Sequence, residues 1–176
     1  MKKFVLLIIF VLSGFSFAQT SNDIVVYPIN TKFLNSLVLE LCNQMTSNSG
    51  VVKKSHPVTF KCAEYQSSYQ AKFSVCTHNN TEHFRGYLLE SVVNRREVFN
   101  KPEQLMGSMA EICTFATVDY GVTTYGELAK HIMTNFFESS PHKKAILNDY
   151  PYGDFSCTQG MYKGQKGVYV TGMFSR

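Results

Sequence analysis

Pro141 constrains the fold of this chain more than any other residue, because it stands between two helical patterns and cannot lie inside either. Its ring fixes φ and it has no amide hydrogen, so it interrupts a helix, yet it is favoured in a first helical turn. Upstream, Thr124-Tyr-Gly-Glu127 has the form of a capping box, and Leu128, Ile132, Met133 and Phe136 follow on one helical face. The pattern predicts a helix ending before Ser140, then another with Ser140 as N-cap and Pro141 as first residue. His142 then falls in a first turn, where the positive end of the helix dipole disfavours an imidazolium. A neutral His142 keeps a ring nitrogen free as metal ligand, base or acceptor, and it can equally do no more than cap or pack a short helix.

The rest of the chain supplies partners for these helices. Asn30 caps a run with Leu34, Leu37, Val38, Leu41 and Met45 at the helical period, which stops near Ser49-Gly50. A second helix opens at Pro57, buries Cys62, Tyr65, Tyr69 and Phe73, and leaves His78 at or just past its end. Residues 79–109 read as an elaborated connection, with a helix through 87–93 and a break at Lys101-Pro102. Residues 112–116 and 24–27 read as strands, and 155–160 and 168–174 as a C-terminal hairpin turned by Lys163-Gly-Gln-Lys-Gly167. This order predicts an α+β domain with a small antiparallel sheet.

Met1-Lys-Lys followed by the apolar run 4–12 and Ser13-Gly-Phe-Ser-Phe-Ala18 has the three regions of a secretory leader, with cleavage expected after Ala18. The boundaries are therefore a signal peptide over 1–18, a lead-in over 19–29 and one domain over 30–176. The apolar run is too short to cross a bilayer and no later run is long enough, so a soluble secreted or periplasmic protein with no membrane span is expected. Loss of Lys2 and Lys3 leaves 15 basic residues against 13 acidic, about +2. Lys53-Lys54, Arg95-Arg96 and Lys143-Lys144 are isolated pairs, read as solvated faces, so no nucleic-acid partner is expected. Five cysteines, Cys42, Cys62, Cys76, Cys113 and Cys157, are an odd number, which in an exported chain implies at least one free or intermolecular thiol. Asn79-Asn-Thr81 matches a glycosylation acceptor, discounted because the short Lys-Lys leader looks bacterial.

The segment Ser139-Ser-Pro-His-Lys-Lys-Ala-Ile-Leu147 resembles the Ser-Pro-Gly-His-Arg-x-Asn-Ile-Leu signature of the CAP (SCP) superfamily, that of cysteine-rich secretory proteins, antigen five and pathogenesis-related proteins. Gly167-Val-Tyr-Val-Thr-Gly-Met-Phe174 is similar to the family's closing Tyr-x-Thr-Gln-x-Phe strand, with Gly172 in place of the glutamine. Leu39-Glu-Leu-Cys-Asn-Gln44 resembles its opening helix, and Ala110-Glu111-Ile112 stands where the family has Gly-Glu-Asn. Phe136 takes the place of a tryptophan six residues before the signature histidine. The resemblance implies an α-β-α sandwich whose central groove is lined by two histidines and two acids able to hold a divalent metal. By position these are His78, Glu111, His142 and, at the end of the third helix, Glu138.

Two imidazoles with one or two carboxylates suit zinc, and the same residues can also form a polar cluster that holds no metal. His83 competes with His78 and is read as a loop residue, His131 as helix surface and His56 as a helix start. Ser139 and Ser140 are read as capping residues, since nothing here resembles a nucleophile elbow. The function expected is a non-catalytic binding module whose groove takes a metal, a small apolar or lipid molecule, or a protein. The alternative is a metal-dependent hydrolase of peptide or cell-envelope substrates with Glu111 or Glu138 as base, although no His-Glu-x-x-His helix is present. A third class is an adhesive surface protein linked through its odd cysteine.

Overall fold

A computed structural model of the chain describes residues 19–100, 105, 107–118 and 123–176. The leader over 1–18 and the break at Lys101-Pro102 lie outside the described residues.

Helix α1 spans Thr31–Thr46 and starts where the side chain of Asn30 accepts the Phe33 amide at 3.0 Å. Leu34, Val38 and Cys42 form its buried stripe, and it ends through a single tight turn closed by Gly50 at φ 69°. Helix α2, Pro57–Phe73, has proline in its first turn and His56 as cap, the ring accepting the Val58 amide at 3.2 Å. Strands β1 (His83–Phe84) and β2 (Tyr87–Leu88) form a hairpin whose Arg85-Gly86 turn has φ of 51° and 85°. Helix α3, Val92–Phe99, follows behind a Ser91/Asn94 capping box. The helix expected through 87–93 is thus a hairpin and the start of a later helix, because two successive positive φ values turn the chain back on itself. His83 accordingly lies in a short exposed strand rather than a loop.

Strand β3 (Met109–Thr117), helix α4 (Tyr125–Glu138), helix α5 (Ser140–Leu147) and strands β4 (Tyr152–Tyr162) and β5 (Gln165–Ser175) complete the order. The capping box at Thr124 and Glu127 opens α4 as expected. Helix α5 begins one residue earlier than the proline rule predicts: Ser139 is extended at φ −88° and ψ 112°, serves as the single residue between the helices, and makes no side-chain capping bond. Ile24 makes one isolated bridge to Thr124, so residues 24–27 form no strand.

The sheet is antiparallel in the order β3-β5-β4, with Lys163 and Gly164 as a two-residue turn. The pleat sorts its two faces. Ile112, Ala116, Phe155, Cys157, Val168, Val170 and Phe174 join α1, α4 and α5 in the main core. The other face meets α2 through hydroxyls and amides: Ser67 bonds Ser156 at 3.0 Å, Thr59 bonds Asp154 at 2.5 Å, and Gln70 reaches Thr171 at 3.4 Å. The fold is therefore α+β, one three-stranded sheet between helical layers.

Two pairs of basic residues depart from the solvated reading. Lys53 is 2% exposed, donates to the carbonyls of Asn148 and Tyr150 at 2.7 and 2.9 Å, and lies 5.6 Å from the rings of Tyr150 and Phe174. It fastens the α5–β4 connection, and burial pushes its ammonium below the usual lysine range. Arg95 is fully buried as well. In each pair a turn or helix sends neighbouring side chains in different directions, so one faces in while Lys54 or Arg96 does not.

Candidate functional site

Three structural steps bring the site together. Ser74 ends α2 in the left-handed conformation, and Gln66 and Gln70 hold the chain beyond it by donating to the Thr77 carbonyl at 2.5 and 2.8 Å. His78 is thereby laid against strand β3. On β3, alternation places Glu111 and Cys113 on the α2 side while Ile112 enters the core. His78 Nδ1 stands 3.0 Å from Glu111 Oε1 and 3.7 Å from Cys113 Sγ.

Behind this trio lies Arg95 of α3. Its guanidinium donates through Nη1 to the Leu89 carbonyl at 2.8 Å and through Nη2 to Glu111 Oε2. Glu111 therefore has one oxygen on arginine and the other on histidine, with its side chain only 4% exposed. The His78 ring is open to water, 57% exposed at the side chain. The hydrogen bond to Glu111 raises the His78 pKa above the ordinary imidazole value, outweighing burial and the nearby Arg95 charge.

His142 arrives from the other helical layer, in the first turn of α5. Its ring meets the fully buried Phe136 ring at 5.5 Å and 84°. The sequence predicted a neutral His142, and its pKa is indeed lowered, but chiefly by burial, with the charge of His78 acting in the same direction. Its Nδ1 is buried and has no hydrogen-bond partner among the described residues. His78 and Glu111 are thus in direct contact and His142 lies within electrostatic reach of His78. Glu138 is exposed at the end of α4 and has no hydrogen bond or ion pair with the other three among the described residues.

Sequence reasoning missed Arg95 and Cys113. For Arg95 the signal was Ser91-x-x-Asn94, a capping box with Asn at its fourth position, which fixes the α3 register. For Cys113 it was strand alternation, which puts it on the same face as Glu111.

His78, Glu111 and Cys113 form a group whose donor atoms all lie within 4.8 Å of one another, close enough to share a metal ion. The donor chemistry is uneven. Cys113 is buried, which holds its thiol well above the usual value and therefore protonated, and Arg95 already engages Glu111. His142 lies outside that group, and Nε2 of His78 is the ring nitrogen that Glu111 does not use. The five cysteines are all free, four of them buried, and Cys76 is exposed.

No family model matches this sequence, and no curated protein matches it. Among solved structures the fold is similar to that of an outer surface protein from Borrelia burgdorferi, at 14% sequence identity and a TM-score of 0.58. The match covers 84% of this chain and 96% of that one, so the likeness extends over the whole architecture. No described helix is long and apolar enough to cross a membrane.

Proposed function

We propose that this chain is an exported domain of the CAP (SCP) type, residues 30–176 behind a cleaved leader over 1–18, acting as a binding module at the cell surface or in the periplasm. Its groove is centred on His78, Glu111 and His142 and takes a divalent metal such as zinc or a small ligand. The observation that carries this reading is the pairing of His78 with Glu111 at 3.0 Å, with His142 within electrostatic reach of His78. The ordered sequence resemblances support it, as does the α+β sandwich. The name of the structural neighbour, an outer surface protein, agrees with export.

A hydrolase at this site needs a free carboxylate as base. Glu111 has Arg95 on one oxygen and His78 on the other, and Glu138 is exposed without contact to the group, so the module is the better supported function. Calorimetric zinc titration of the wild type and His142→Ala at two pH values tests the site. Affinity in the wild type is expected to fall as pH drops through the histidine range, because protons compete for the imidazole lone pairs. The substitution is expected to weaken binding, and equal affinity in both proteins would remove His142 from any metal site.

A further inference from the structure

We infer that Arg95 is a positioning residue: by clamping Glu111 it fixes His78 as the tautomer with its proton on Nδ1 and its lone pair on Nε2, turned away from Glu111. This rests on the metal-binding reading above and assigns Glu111 a different part in it, that of an orienting acceptor behind the histidine rather than a ligand.

Glu111 has two oxygens, and both are engaged, Oε2 by the guanidinium of Arg95 and Oε1 by His78 Nδ1 at 3.0 Å. Glu111 is acceptor-only when ionised, so in neutral His78 the nitrogen facing it carries the hydrogen. The remaining nitrogen, Nε2, then bears the lone pair. The side chain is 57% exposed, and the nitrogen turned away from Glu111 is the one left without that partner. A carboxylate bonded to the far nitrogen of a metal-ligating histidine is a recurrent arrangement that sets ring orientation and raises ligand basicity.

Arg95 makes the arrangement rigid. It is fully buried, its Nη1 is fixed to the Leu89 carbonyl at 2.8 Å, and it sits on α3 through the Ser91/Asn94 cap. A planar guanidinium held at one nitrogen can offer the other in one direction only. A carboxylate with this partner is neutralised in place and cannot rotate away from His78. The competing arrangement puts a metal between His78 Nδ1, Glu111 and Cys113, and would require Nδ1 to give up its proton and Glu111 to be shared with Arg95.

The test reads the tautomer directly, by nitrogen-15 shifts of the His78 ring in the metal-free chain at alkaline pH. The wild type is expected to show Nδ1 protonated. In Arg95→Met the ring is expected to relax to a mixture of tautomers, and zinc affinity to fall by roughly 10–100-fold, the usual cost of losing an outer-shell partner. If Arg95→Met does not fold, Arg95→Met/Glu111→Gln removes both charges and gives the same readout. Glu111→Gln alone leaves one acceptor oxygen for two donors, so Arg95 is expected to take it, the amide nitrogen to face Nδ1, and the proton to move to Nε2.

Proton on Nε2 in the wild type, or a tautomer unchanged when Arg95 is replaced, would overturn the inference. So would cobalt substitution giving a thiolate charge-transfer band that disappears in Cys113→Ser, which would place the metal on the inner side. If the tautomer and its dependence on Arg95 are found and no zinc binds, the positioning role stands and only the metal reading fails.

Discussion

At the residue scale, the site is governed by a buried charge pair. Glu111 has a side chain 4% exposed and Arg95 is fully buried, so each compensates the other's charge where water hardly reaches. Removing one member of such a pair leaves an uncompensated charge, which costs about 3–5 kcal/mol, whereas removing both can be neutral. Arg95→Met is therefore expected to lower stability by about that amount, and Arg95→Met/Glu111→Gln to regain most of it. Urea unfolding of the two variants checks this, and equal stabilities would mean that the pair is not coupled. The same pair shows where reading single residues stops. Arg95-Arg96 is indistinguishable in sequence from a solvated pair, and only the α3 register turns one of them inward.

Secondary structure was legible wherever its causes were local. Asn30, Pro57 and the Thr124/Glu127 box start α1, α2 and α4 because capping and proline geometry act within one turn. The 79–109 connection was not legible, since its hairpin turns on Arg85, a residue without strong turn preference held at φ 51°. The C-terminal hairpin was found, but both strands run longer than their apolar cores, and pairing across β5 extends them. Gly172 lies in the middle of that sheet between Ile112 and Phe155. A Cβ there would meet Ile112 Cγ1 and Phe155 Cε1, each at 2.8 Å, so its neighbours fill the space a side chain would need. Gly172→Gln is expected to destabilise by about 1–3 kcal/mol through overpacking. An unchanged denaturation midpoint would show that the β3-β5-β4 face yields more readily than close-packed cores do.

For the whole molecule, the two site histidines couple folding to pH in opposite directions. His142 has a lowered pKa when folded, so the unfolded chain binds its proton more readily. Its contribution is present above the unfolded value of about 6.5 and is lost as pH falls through the lower folded value. His78 has a raised pKa, so its contribution is present below about 6.5 and is lost as pH rises through the higher folded value. His142→Phe, which keeps an aromatic ring against Phe136, is expected to flatten the acid side of the stability curve, and His78→Gln the alkaline side. Urea midpoints between about pH 5 and 8 read both effects, and a His142→Phe curve parallel to the wild type would sink the assignment.

Capping, periodicity and turn chemistry act over a few residues, so the starts of α1, α2 and α4, the α+β class and the hairpin that closes the sheet were readable along the chain. Tertiary structure alone decided the partners of those residues. Arg95 meets Glu111 across 16 positions and His78 meets it across 33, distances along the chain over which no local rule operates. Whether a carboxylate is a ligand, a base or a clamp depends on what occupies its second oxygen. That is fixed only when α3 packs its arginine beneath β3.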